Sequence, residues 1–152
     1  MKKEKPTVKQ QAIRCLSRRE YGRAELAQRL IRDGAARDEV DAALDELTQL
    51  GLLSDERFAE ALVRRRQGKY SKRSIAMQLK EQGIDAETAE AALTTLDETS
   101  EEDEVLALWQ QRFGKLPDDG KEKNKQIRFL MSRGYSAAAV LKMFRNQKSD
   151  DR

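Results

Sequence analysis

The residues of this chain best suited to chemistry are its cations. In "RRRQGKYSKR", Arg64 to Arg73, six of ten positions are Lys or Arg and none is acidic. Guanidinium and ammonium groups at that density suit phosphate or carboxylate partners. Basic residues recur upstream in "SRREYGR", Ser17 to Arg23, and downstream in "GKEKNKQIR", Gly120 to Arg128. The candidate contacts to DNA or a protein partner are Arg18, Arg19, Arg23, Arg64, Arg65, Lys69, Lys72, Arg73, Lys123, Lys125 and Arg128. A solvated helix carries the same residue types, and Arg64, Arg65 and Arg66 cannot all face one way, because helical neighbours differ by about 100°. Recurrence in register argues for a surface, since solvation alone requires none.

Other chemistry has little to work with. Histidine is absent, which removes the usual general base near neutral pH and the commonest metal ligand. One cysteine, Cys15, cannot close an internal disulfide or supply a zinc site; it reads as a small buried apolar residue. Neither a phosphate-cradling glycine loop nor a dinucleotide fingerprint is present. No enzyme activity, cofactor, metal or small-molecule substrate is expected. A secretory segment and a run of eighteen apolar residues are also missing, so the expected location is the cytoplasm, without membrane contact.

The elements that must position these cations follow from a repeat. Tyr21, Arg23, Leu26, Leu30, Gly34, Ala43 and Leu44 recur 49 residues later as Tyr70, Lys72, Ile75, Leu79, Gly83, Ala92 and Leu93. "LIRDG" and "LKEQG" return as "LMSRG", with Leu130 and Gly134 lying 51 positions after Leu79 and Gly83. The expected fold is all-α, with three tandem three-helix repeats over 1–53, 54–99 and 100–152, about nine helices in all. Low hydrophobic content, 38% against 38% charged, favours repeats stacked in an elongated, curved array over one large core. At about two helix diameters per repeat, its length would be on the order of 60 Å.

Periodicity places three stripes in the first repeat. They are Ala12, Ile13 and Leu16; Leu26, Leu30 and Ile31; and Val40, Ala43, Leu44, Leu47 and Leu50. Gly34 and Gly51 should end helices in left-handed caps, with Leu52 and Leu53 folding back. Phe58, Leu62, Ile75, Leu79, Ala89, Ala92, Leu93 and Leu96 repeat the pattern, with Ser54, Ser71 and Asp85 as N-caps. In the third repeat "SEED" from Ser100 has the form of a capping box ahead of Val105, Leu108, Trp109 and Phe113. Ile127, Leu130, Met131, Val140, Leu141 and Phe144 complete that core. Tyr21 and Tyr70 read as packing residues at helix junctions. "MKKEKP" and "NQKSDDR" read as frayed ends.

Charge is banded along the same frame. Residues 1–23 carry eight basic and two acidic groups, net +6, and residues 36–62 carry two basic and eight acidic, net −6. Residues 64–73 give +6, residues 85–104 give −9, and residues 112–133, with seven basic and three acidic, give +4. In-phase stacking would align these bands into a polyanion-binding stripe and an acidic back.

"LSRREYGRAELAQRL", "LGLLSDERFAEALVRRR" and "IAMQLKEQGI" resemble the RecX family of bacterial recombination regulators, over nearly the whole chain and most specifically around "GLLSDERFAEALVRRR". In one departure, "KYSKRSI" replaces the glycine-proline turn and arginine common in relatives. Ser74 takes the arginine's place, with Lys72 and Arg73 beside it. The resemblance implies an all-helical, non-enzymatic modulator of the RecA recombinase. Such a protein binds the RecA filament on single-stranded DNA, lies in its groove, and lowers ATP hydrolysis, strand exchange and co-protease activity. Weak duplex binding is compatible with this. The rival readings are a protein-only adaptor and a stand-alone helical DNA-binding protein of the helix-turn-helix type, for which the chain lacks an Asn or Gln cluster for base readout.

Overall fold

The computed structural model describes residues 4–96 and 98–150. Among them are nine α-helices and no strand: α1 Val8–Leu16, α2 Arg23–Arg32, α3 Arg37–Gln49, α4 Asp55–Arg66, α5 Lys72–Glu81, α6 Ala86–Leu93, α7 Glu101–Arg112, α8 Gly120–Ser132 and α9 Ala137–Asp150. Of the ends expected to fray, residues 1–3 and 151–152 lie outside the described residues, and α9 continues to Asp150. No helix among the described residues is long and apolar enough to cross a membrane.

Local chemistry sets the helix starts. Ser54, Ser71, Asp85 and Ser100 each accept a hydrogen bond from the backbone N–H three residues on, at 2.7–3.2 Å. Each satisfies one of the otherwise orphaned first-turn donors. A reciprocal capping box lies at α1, where Thr7 Oγ1 accepts from Gln10 N–H and Gln10 Oε1 accepts from Thr7 N–H. Gly34 and Gly51 end α2 and α3 at φ of +106° and +77°. The backbone N–H groups of Leu52 and Leu53 both donate to the carbonyl of Leu47, but only Leu53 is buried.

The helices fold into two compact units that divide the middle repeat. The first comprises the described chain up to Arg64 together with Gln78–Thr94. Its core gathers Ala12, Tyr21, Leu26, Leu30, Val40, Leu44, Leu47 and Leu53. Each such leucine contributes roughly 1.5–3 kcal/mol by leaving water. The second comprises Arg65–Met77 and the described chain from Thr95. It buries Val105, Leu108, Trp109, Leu130, Tyr135, Val140, Met143 and Phe144.

Several residues assigned to apolar stripes are instead exposed: Ile13, Ile31, Met131 and Leu141, all at 39–46%. Each immediately follows a fully buried residue, namely Ala12, Leu30, Leu130 and Val140. The ~100° step per residue turns the second member outward once the first faces the core. Leu50, past the end of α3, is also exposed. Conversely Gln126, a polar residue, is 2% exposed, because its Oε1 accepts from Trp109 Nε1 at 2.8 Å.

Consecutive repeats meet through one junction used twice. In the first unit a Cβ on Gly83, just after α5, would lie 2.7 Å from Ala24 Cβ in the first turn of α2. In the second, a Cβ on Gly134, just after α8, would lie 2.6 Å from Ser74 Cβ in the first turn of α5. The start of one middle helix thus packs on the capping glycine of the next. Only a residue without a side chain permits that approach.

Candidate polyanion and partner interface

The first unit consumes two of its four candidate cations in holding itself together. Arg19 donates to both oxygens of Glu25, at 3.0 and 3.1 Å, while its guanidinium lies 3.6 Å from the centre of the Tyr21 ring. The hydrogen bonds to Glu25 push the Arg19 pKa above its ordinary value. Tyr21 is 4% exposed and its hydroxyl accepts from Arg29, so it serves as a packing residue. Arg23 pairs with Asp45 at 2.7 Å, and its backbone N–H donates to Asp55 Oδ1 at 2.8 Å. Asp55 therefore caps α2 from the following repeat. Arg18 and Arg64 are exposed and form no ion pair among the described residues.

In the second unit the end of α4 presents Arg65 and the α4–α5 turn presents Lys69 to solvent, likewise without ion pairs among the described residues. Lys72 and Arg73 differ. Lys72 is half-buried and lines a pocket of about 190 Å³ with Glu104. Burial raises the Glu104 carboxyl pKa and the nearby Lys72 charge lowers it in part. Arg73 Nη2 donates to the carbonyl of Gly134 at 3.0 Å, tying it to the repeat junction. Arg73 thus has a structural contact while remaining exposed.

On α8, Lys125 and Arg128 are exposed, whereas Lys123 is half-buried. Lys121, not singled out from the sequence, is exposed and lies four and seven residues before these two. That spacing puts Lys121, Lys125 and Arg128 on one helix face, with Lys123 rotated away. The i, i+4, i+7 pattern was available in the sequence. Acidic side chains gather elsewhere: Glu56, Glu60 and Glu87 line one cleft of the first unit.

Tyr70 is half-buried in the α4–α5 turn, with the guanidiniums of Arg66 and Arg133 at 5.3 and 4.6 Å from its ring centre. Of the three consecutive arginines, then, Arg64 and Arg65 face solvent and Arg66 turns inward.

Three family models match the chain in sequence order. RecX, first three-helix domain, covers residues 9–47; RecX, second three-helix domain, covers 54–93; RecX, third three-helix domain, covers 100–151. "Regulatory protein RecX" of Chromobacterium violaceum is 36% identical over 99% of this chain and 97% of its own length. That of Ralstonia pickettii is 40% identical over 88% of this chain and 84% of its own. The crystal structure of RecX from Lactobacillus salivarius, 22% identical, superposes with a TM-score of 0.66 over 91% of this chain and 93% of that one.

Proposed function

Since the chain belongs to the RecX family of regulatory proteins, we propose that it modulates the RecA recombinase. It binds the RecA filament on single-stranded DNA, in the groove, and lowers ATP hydrolysis, strand exchange and induced co-protease activity. It acts by binding and not by catalysing a reaction, and it acts in the cytoplasm. Contacts with more than one protomer sum to favour one filament geometry, so turnover slows without occupation of the nucleotide site.

The observation that carries this reading is the set of exposed cations without ion pairs among the described residues, Arg65 at the end of α4, Lys69 in the turn after it, and Lys125 and Arg128 on α8. DNA phosphates or acidic RecA surface would supply the missing counter-charge. Arg18 and Arg64 in the first unit fit the same role. Arg19, Arg23 and Arg73 contribute by holding the backbone that presents the others.

Co-sedimentation with RecA filaments, with RecA alone and with bare single-stranded DNA separates partner from ligand. Reversing Arg65 and Lys69 to Glu should weaken inhibition of RecA ATPase without altering the melting temperature. Unchanged inhibition would reject those two residues. Failure of the wild-type chain to pellet with filaments would reject the proposal.

A further inference from the structure

Arg66 and Arg133 share the Tyr70 ring, and Arg133 continues to Phe129, 5.0 Å from its guanidinium. Arg112 lies 5.1 Å from the centre of the same Phe129 ring. Cation and ring therefore alternate through five residues from the end of α4, the α4–α5 turn, the end of α7 and the end of α8, all in the second unit. None of the three arginines forms an ion pair among the described residues. Arg66 Nε is buried without a hydrogen-bond acceptor.

Three guanidiniums that share two rings repel one another, and the ring faces offset only part of that cost. A carboxylate would have been the ordinary internal solution, as Glu25 is for Arg19. The rings also hold the guanidiniums in place, which reduces the entropy lost when a ligand arrives. The ladder is positioned by the repeat junction, because Ser71 N–H, next to Tyr70, donates to the carbonyl of Arg133 at 2.8 Å.

We infer that this arginine–aromatic ladder is a contact site for single-stranded nucleic acid, taking phosphates on the guanidinium edges and unstacked bases on the guanidinium planes, Arg112 being the exposed one. An acidic peptide would use only the charges. A single strand uses both the charge and the plane of each guanidinium, since splayed bases stack on guanidinium planes as they do on aromatic ones. A duplex keeps its bases stacked inside and offers phosphates alone. The ladder therefore discriminates single strands from duplexes, which exposed lysines on α8 do not.

This inference rests on the DNA-contact part of the proposed function. Fluorescence anisotropy of the full chain on labelled oligothymidylate, and on a blunt duplex of equal length, tests it over a salt series. Arg112→Gln, at an exposed helix end, should lower oligothymidylate affinity about tenfold. The magnitude of the salt slope should fall by about 0.7. Arg112→Lys should keep the slope and lose the preference for single strands, because the charge remains and the plane does not. Arg66→Gln with Arg133→Gln, checked by circular dichroism, should roughly double the slope change. If the wild-type chain binds no oligothymidylate, the DNA reading fails and the ladder with it. If it binds and all variants bind equally, the ladder alone is overturned. Loss of binding to RecA without DNA, with oligothymidylate binding intact, would overturn it too and assign the ladder to an acidic protein surface.

Discussion

The backbone N–H of Ser71 donates to the carbonyl oxygen of Arg133 across 2.8 Å, joining the start of α5 to the end of α8. A different contact, Arg23 N–H to Asp55 Oδ1, joins the start of α2 to the start of α4. Both sew one repeat to the next through a backbone N–H at the start of a middle helix that the helix itself leaves without an acceptor. The proposed binding surface and the repeat junction thus draw on neighbouring residues, and the two roles can be separated by mutation.

Gly134→Ala should be the costliest of the capping-glycine substitutions. A side chain there is strained by φ of +96° and would also collide with Ser71 and Ser74. The two penalties together come to roughly 2–5 kcal/mol. Gly34→Ala, at φ of +106° but facing open space, carries only the backbone cost of about 1–2 kcal/mol. Urea midpoints give the ordering, and equal losses would refute the close-packed junction.

Asp55→Ala should remove an N-cap supplied from the following repeat and lower the stability of the first unit by about 1 kcal/mol. Asp55→Asn should recover most of that loss, because the amide oxygen still accepts. Thermal melting of the two variants checks it.

Arg23→Gln should lower the melting temperature, since Arg23 pairs with Asp45. Arg64→Gln and Arg65→Gln should leave melting unchanged and weaken binding to single-stranded DNA. If about six phosphates are neutralised, log affinity falls with log salt at a slope near −4, and each lost contact reduces that by about 0.7. Stability and affinity measured on the same three variants separate structural from ligand-facing cations.

Tyr135 confers an alkaline sensitivity. Burial first, then Glu104 and Glu101, push its pKa from 10.0 up to about 12. The folded state holds the neutral phenol, so this contribution is complete below pH 10 and is lost as pH rises from about 10 to about 12. Tyr135→Phe should flatten that part of the stability profile relative to wild type, measured by urea unfolding at pH 9, 10.5 and 11.5.

The all-α repeat, its caps and its glycine-terminated helices were legible in the chain because they depend on local spacing: Ser71 and Asp85 cap, and Gly34 and Gly51 turn, whatever lies beyond them. Half of each apolar pair was legible as well. Which member of Leu30–Ile31 or Val140–Leu141 enters the core was not, because both lie near the stripe and only the partner helix selects one. The roles of the cations depended most on tertiary contacts. Arg18 and Arg19 are adjacent, chemically identical and both exposed, yet Glu25 and Tyr21 engage Arg19 while Arg18 forms no ion pair among the described residues. Sequence determined how much positive charge each repeat carries and on which helices. Tertiary structure decided which charges are neutralised internally, since an ion pair forms only where folding brings a carboxylate within a few ångströms.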